Sequence, residues 1–295
     1  MNKMNVGYIG LGNIGKPSAL HLISDQFNAH VYDVYAPAVQ ELVDAGAIGC
    51  ETVTELAQVC EHIGICVRDD AQVEALLFGD EGILAHAVAG TRVAIHSTVT
   101  QARLMEWSLE AEKVGVRLID APISGGAHGA TAGTLCYMVG GTDEDLAAVT
   151  PVFNTSADSI VHAGSIGTGI ALKLCNNFIQ YAELVAMAEA TRLAESCGLS
   201  PEVLREVGKT NGVTSENMYM FIAGRNGFVR SGSPDQGKAY FGAMGALGAK
   251  DLECALKSAA ENGVSMPTAE FLRERIERVF LGVDESRPED AGDAK

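Results

Sequence analysis

With 295 residues, 47% apolar and 20% charged, the chain is long enough for two globular domains and has the bias of neither a disordered nor a fibrous segment. Lysine and arginine number 21 against 38 acidic residues, a formal net charge of -17. That balance argues against nucleic acid as a partner, because a phosphate backbone is held by clustered cations that displace counterions.

No stretch reaches the roughly 18 apolar residues of a membrane span. The N-terminus enters a strand with no basic-then-apolar leader, so a cytoplasmic protein with no membrane partner is expected. The seven cysteines are odd in number and hold no Cys-x-x-Cys pair, which points away from a disulfide framework and a zinc knuckle. Each reads as a small buried hydrophobe. No His, Cys and acid cluster has ligand spacing, so no metal is expected.

Residues 5–9 form a short apolar strand, and Gly10, Leu11, Gly12, Asn13, Ile14 and Gly15 follow it directly. A helix over 16–23 and a strand over 29–33 come next, the strand ending on Asp33. A lone Gly-x-Gly-x-x-Gly is weak, but this order of strand, glycines, helix, strand and acid is the fingerprint of a dinucleotide site. The glycines let backbone approach a pyrophosphate, and Asp33 accepts hydrogen bonds from an adenosine ribose. A carboxylate there repels the extra phosphate of NADP, and Val34-Tyr35-Ala36 supplies no arginine to hold it. NAD is therefore the expected cofactor, with NADP less favoured.

Strands over 63–67, 92–96, 117–120 and 135–139 follow, with helices over 53–59, 71–78 and 100–113 among the earlier ones. The alternation predicts a mostly parallel, doubly wound sheet that binds ligands at the carboxyl ends of its strands. Arg68, Ser97, Thr98 and Ser124 all come just after strand ends. Ser124, Gly125 and Gly126 offer a hydroxyl and backbone N–H groups, a nest suited to a small carboxylate. The plain alternative is a turn before a hairpin-like strand. Arg68 could reach a cofactor ribose or a second acid on a substrate, but a surface pair with Asp69 or Asp70 is the simpler reading. His128 reads as a surface group, and Trp107 as core or interface.

From about residue 163 helices replace the alternation, which sets domains at 1–162 and 163–295. A helix over 168–197, stopped by Gly198, would run about 45 Å and bridge the two. Lys173 and Asn177 lie four residues apart on one face of it. Ser200-Pro201 starts the next helix. Others are expected over 201–208, 214–223, 241–262 and 267–281. A mobile loop is expected over 224–237 and a fraying tail over 284–290. The small-residue run 243–249 could admit another helix or a nicotinamide ring. Lys250 by itself reads as a solvated helix lysine.

Four groups of residues together resemble the β-hydroxyacid dehydrogenase family, typified by 3-hydroxyisobutyrate dehydrogenase. They are Gly10-Leu11-Gly12-Asn13-Ile14-Gly15; Asp120-Ala121-Pro122-Ile123-Ser124-Gly125-Gly126 with Gly129-Ala130 and Gly133-Thr134-Leu135; Gly167-x-Gly169-x-x-x-Lys173-x-x-Asn176-Asn177; and Lys250-Asp251-Leu252. The resemblance implies an α/β fold: an N-terminal doubly wound Rossmann domain followed by an all-α C-terminal domain, in a homodimer or homotetramer joined through the helices. It implies Lys173 as general acid/base, Asn177 orienting the substrate, the Ser124-Gly125-Gly126 turn holding its carboxylate, and Thr98 and Lys250 completing the cofactor site. The chain departs from the family pattern at Val67-Arg68, at Lys16-Pro17-Ser18 and at His96.

The expected activity is hydride transfer between a nicotinamide cofactor and the hydroxyl-bearing carbon of a small β-hydroxy carboxylic acid. Reduction of a semialdehyde or glyoxylate-type acid by the same residues is the alternative. A catalytically silent nucleotide-binding protein is disfavoured by the retained lysine and the net charge. An imine reductase is disfavoured because such relatives usually replace that lysine.

Overall fold

A computed structural model describes residues 3–230 and 234–283 and divides the chain into two compact units, Met1–Lys173 and Leu174–Lys295. The first unit alternates strand and helix: β1 (Met4–Ile9), α1 (Gly15–Leu20), β2 (Phe27–Tyr32), α2 (Ala36–Asp44), β3 (Ile48–Gly49), α3 (Val53–Val59), β4 (His62–Ile65), α4 (Asp70–Leu77), α5 (Ile83–His86), β5 (Arg92–Ile95) and α6 (Gln101–Lys113). It continues through β6 (Arg117–Asp120), β7 (Ile123–Ser124), α7 (Gly126–Ala132), β8 (Leu135–Gly140), α8 (Asp143–Phe153) and β9 (Ala157–Gly164).

The strands form one sheet in the order β3-β2-β1-β4-β5-β6-β8-β7, with β9 on β8. Pairing is parallel from β3 through β6, and β8 runs antiparallel to β6 and β7 but parallel to β9. Val6, Tyr8, Val31, Ala94, Ile119, Leu135, Val139 and Phe153 build the core on the sheet. Strands covered on both faces are buried without alternation, and residues 6–9 of β1 and all of β4 are so here. Helix starts follow local chemistry. Thr52 caps α3, Asp69 caps α4, and Thr142 with Asp145 forms a reciprocal capping box on α8.

The second unit is helical. α9 (Thr168–Ser196) begins in the first unit and continues into it, followed by α10 (Pro201–Asn211), α11 (Glu216–Arg230), α12 (Pro234–Glu261), α13 (Pro267–Arg273) and α14 (Ile276–Leu281). Tyr181, Leu184, Ala188, Ile222, Phe241, Leu252, Leu272, Ile276 and Phe280 form its core. The small-residue run serves helix packing. A Cβ on Gly245 would lie 2.9 Å from the Glu277 Cα and one on Gly248 3.2 Å from Ile276, so these glycines let α12 lie against α14.

The doubly wound sheet and the all-α second half are as the sequence implied, with three local differences. The stretch 224–237 is not a loop, since α11 runs to Arg230 and α12 starts at Pro234, while residues 231–233 lie outside the described residues. Gly224 and Gly227 are tolerated in α11 because its neighbours are held. The Arg225 side chain is buried and donates to the Val279 carbonyl at 2.5 Å, and the Phe228 ring packs on Phe241. The helix expected over 267–281 is broken, because the Arg275 N–H turns back onto the Leu272 carbonyl at 3.0 Å and closes α13. The Ser-Gly-Gly turn leads first into helix α7 and then into β8. The tail over 284–290 lies outside the described residues.

Candidate active site

Register fixes where the site residues emerge. Tyr32 pairs with Ile9, Ile9 with Ile65, Ile65 with Ile95 and Ile95 with Asp120, so the carboxyl ends of β2, β1, β4, β5 and β6 fall on one line. Asp33, Gly10, Arg68, Thr98 and Ser124 all lie in the chain just beyond that line. This end of a parallel sheet is where doubly wound folds receive ligands.

Gly10 leaves β1 at φ +93°, and a Cβ there would sit 2.3 Å from the Cys66 carbonyl oxygen. A Cβ on Gly15 would sit 1.8 Å from the Gly10 carbonyl oxygen. These two glycines are required by the fold itself. Gly12 differs: nothing lies within 4 Å of the Cβ it lacks, and it is exposed beside exposed Asn13 and half-buried Ile14. The fold does not need that glycine, but a ligand backbone approaching the loop would. Asp33 bends the same loop around the end of β2, its Oδ2 accepting the Leu11 N–H at 2.5 Å and its Oδ1 the Tyr35 N–H at 2.7 Å. An open glycine cradle beside a half-buried carboxylate fits the adenosine and pyrophosphate of a dinucleotide.

Asp120, at the end of β6, is fully buried. Its Oδ1 accepts the Gly167 N–H at 2.8 Å and its Oδ2 the Ile170 N–H at 2.7 Å, so one carboxylate holds the first turn of α9. Burial pushes this carboxyl group up from its ordinary value, and the amide donors of Gly167, Ile170 and Gly169 pull against that rise. Lys173 follows one turn later, half-buried. Ser124, half-buried, ends β7, and Gly125 and Gly126 are exposed with φ of +127° and +62°, in the region that favours glycine.

In the second unit Asn177 is buried and donates through Nδ2 to Asp251 Oδ2 at 2.8 Å. The Tyr181 hydroxyl donates to the same oxygen at 2.9 Å. Lys250 Nζ stands 3.1 Å from Asp251 Oδ1, at ion-pair distance but without the alignment of a hydrogen bond. Burial and the Asp251 charge both raise the Tyr181 hydroxyl far above its usual pKa, so it remains a donor. Asp251 thus ties together Asn177 of α9 and Lys250 of its own helix.

The structure corrects several single-residue readings. Asp69 caps α4 and Asp70 accepts from Thr100, so neither forms the surface pair expected for Arg68, which is exposed. His96 belongs to the core. Its Nδ1 meets the Ala121 carbonyl at 2.8 Å and therefore carries the proton, its ring stacks on Tyr8, and burial lowers its pKa to about 4. Cys60 and Cys254 are buried as expected, but Cys175 and Cys197 are exposed. His128 is exposed and Trp107 is buried, as read from the sequence.

The sequence alone assigns no role to Asp120, Asp251 or Tyr181. The signals were present: Asp120 opens the Ala-Pro-x-Ser-Gly-Gly segment, Asp251 adjoins Lys250, and Tyr181 lies four residues beyond Asn177 on the face shared with Lys173. Among the described residues no metal-binding group of His, Cys, Asp and Glu is found, and no helix is long and apolar enough to cross a membrane.

Residues 5–164 match the family model described as the NAD binding domain of 6-phosphogluconate dehydrogenase. Residues 167–287 match the one described as NAD-binding of NADP-dependent 3-hydroxyisobutyrate dehydrogenase. The chain is 32% identical over 265 residues to the 2-(hydroxymethyl)glutarate dehydrogenase of Eubacterium barkeri, covering 90% of this chain and 85% of that protein. It is 33% identical over 262 residues to the NAD-dependent L-serine dehydrogenase of Pseudomonas aeruginosa, covering 89% and 87%. A solved structure of Mycobacterium tuberculosis 3-hydroxyisobutyrate dehydrogenase with L-serine superposes with a TM-score of 0.79 at 26% identity, covering 96% of this chain and 98% of that one. By its two matched domains and these full-length relatives, the chain belongs to the β-hydroxyacid dehydrogenase family of NAD(P)-dependent oxidoreductases.

Proposed function

We propose that this enzyme oxidises a small β-hydroxy carboxylic acid, using NAD in preference to NADP and Lys173 as general acid/base. The observation that carries the reading is the anchoring of the α9 start on Asp120, one turn before Lys173 and a few residues before the Ser124-Gly125-Gly126 turn. The named relatives support the substrate class, since L-serine, 3-hydroxyisobutyrate and 2-(hydroxymethyl)glutarate all carry a hydroxyl on the carbon β to a carboxylate.

In this reading the Ser124 hydroxyl and the Gly125 and Gly126 amides hold the carboxylate, and Asn177, locked by Asp251, orients the hydroxyl-bearing carbon. Lys173 Nζ accepts the hydroxyl proton during oxidation and returns it to the carbonyl oxygen during reduction. Gly10 to Gly15, Asp33, Thr98 and Lys250 hold the nicotinamide dinucleotide, which when bound supplies the hydride acceptor. Much of the rate comes from fixing the reactants in place. The preference for NAD rests on Asp33, whose carboxylate faces the loop amides where an added ribose phosphate would need a cation. The functional boundary is set at residue 162, within β9, the last strand before the helices. Homo-oligomer contact is assigned to the helical unit, whose α9 leaves Ile179 and Leu193 about two-thirds exposed, and light scattering tests it.

The test is reduction of NAD and NADP followed at 340 nm with serine, 3-hydroxyisobutyrate, 3-hydroxypropionate, 4-hydroxybutyrate and threonate, beside Lys173→Ala. Activity on a β-hydroxy acid with NAD, lost by about a thousandfold or more in the variant, is expected. Equal rates in variant and wild type would remove Lys173 from its role. Turnover restricted to semialdehydes or glyoxylate with the reduced cofactor would favour the reductase reading.

A further inference from the structure

Beyond the groups that touch substrate or cofactor, we infer that Asp120 is a positioning residue for Lys173, clamping the first turn of α9 to the end of β6 so that the lysine stands at a fixed height above the sheet. This rests on the acid/base reading of Lys173.

The packing around the carboxylate is what assigns the role. Asp120 is completely buried, pairs with Gly140 of β8 in the sheet, and spends one oxygen on the Gly167 N–H and the other on the Ile170 N–H. A Cβ on Gly140 would lie 2.2 Å from Asp120 Oδ1, and one on Gly169 would lie 2.9 Å from Asp120 Oδ2 and 2.3 Å from the Met138 carbonyl oxygen. Gly167 turns into the helix at φ +90°. The positive φ of Gly167 and the missing side chain of Gly169 thus both serve the clamp. One presents an amide to it, and the other lets the helix backbone reach the sheet beside it.

The same aspartate begins the segment that leads, four residues on, to Ser124. The clamp therefore joins the two chain segments proposed to hold the proton-transfer group and the substrate carboxylate. A buried pair of charge-assisted bonds to two amides one turn apart fixes both the axial position and the rotation of a helix start. Displacement of a reacting group by about 1 Å can cost a hundredfold in rate. The two hydrogen bonds of the clamp run to Gly167 and Ile170 and not to residues 10–15, so its loss is expected to leave cofactor affinity unchanged.

The experiment compares Asp120→Asn, Gly169→Ala, Lys173→Ala and the double variant Asp120→Asn/Lys173→Ala, in full-length protein whose fold is checked by circular dichroism. Asparagine keeps one acceptor oxygen but turns an NH2 toward the second amide. Alanine at 169 leaves the carboxylate intact and forces the helix off the sheet. Steady-state kinetics with the best substrate of the panel should show kcat lowered roughly ten- to a hundredfold in each of the first two. The dissociation constant for reduced cofactor, read by nicotinamide fluorescence, should stay within about twofold of wild type. In the Lys173→Ala background Asp120→Asn should change the residual rate by less than about twofold, because the group it positions is gone. Wild-type kcat in Asp120→Asn beside an inactive Lys173→Ala would overturn the inference alone. So would multiplying losses in the double variant, or cofactor affinity falling in step with kcat. Wild-type activity in Lys173→Ala would remove the acid/base reading and the inference with it.

Discussion

Asn177 and Asp251, 74 positions apart in sequence, are joined by a buried 2.8 Å hydrogen bond from the amide Nδ2 to the carboxylate. With Tyr181 on the same oxygen, Asp251→Ala would strand two buried donors, at about 1–3 kcal/mol each. Asp251→Asn keeps an acceptor for both. Thermal denaturation should show a drop of several degrees for alanine and less than half of it for asparagine. Equal losses in both would mean that the charge beside Lys250, and not the hydrogen bonds, is what stabilises the cluster.

The glycine loop separates fold from function. Gly12→Ala enters open space and should leave the melting temperature nearly unchanged while weakening cofactor binding by about tenfold or more. Gly15→Ala drives a Cβ into the Gly10 carbonyl and should cost about 2–4 kcal/mol of stability. Calorimetry and a fluorescence titration on the two variants measure both effects. Unchanged cofactor affinity in Gly12→Ala would place the pyrophosphate elsewhere.

Asp33 is expected to govern cofactor choice. Asp33→Ala removes the anion that repels a ribose phosphate and also frees the Leu11 amide, so kcat/KM with NAD should fall while the NADP to NAD ratio rises about tenfold or more. Rates with both cofactors decide it, and an unchanged ratio would show that selectivity lies outside this carboxylate.

Acid should destabilise the first unit through its buried histidines. Burial lowers His62 to about 3, with neighbouring His96 and Arg92 adding to the effect, and lowers His96 to about 4. Both folded values lie below the roughly 6.5 of an unfolded histidine, so below that pH the unfolded chain binds more protons and stability falls. The loss is about 1.4 kcal/mol per pH unit for each histidine, continuing toward pH 4. Urea midpoints at pH 7.5 and 5.5 should differ, and His62→Leu should remove a substantial part of the difference. A variant with the wild-type pH dependence would show that His62 does not contribute.

The glycine loop and Asp33 of the proposed cofactor site can be picked out from the sequence because they lie within one strand, loop, helix and strand unit, where spacing fixes local geometry. That Lys173 and Asn177 share one helix, four residues apart, could be read for the same reason, and α9 carries both. The helical stretch 224–230 was not. Its glycines and polar residues signal a loop, and only the burial of Arg225 and the packing of Phe228 override them.

By itself, then, the sequence determined the run of parallel strands from β1 to β6, the change from alternation to helices, and the identity of the local motifs, all of which depend on interactions between near neighbours. The tertiary structure decided what holds those motifs. Asp120 grips the start of α9 from 47 and 50 residues away, and Asp251 locks Asn177 from 74. A carboxylate's role is set by the donors that reach it, and in this chain those donors come from distant segments that only folding brings within hydrogen-bond range.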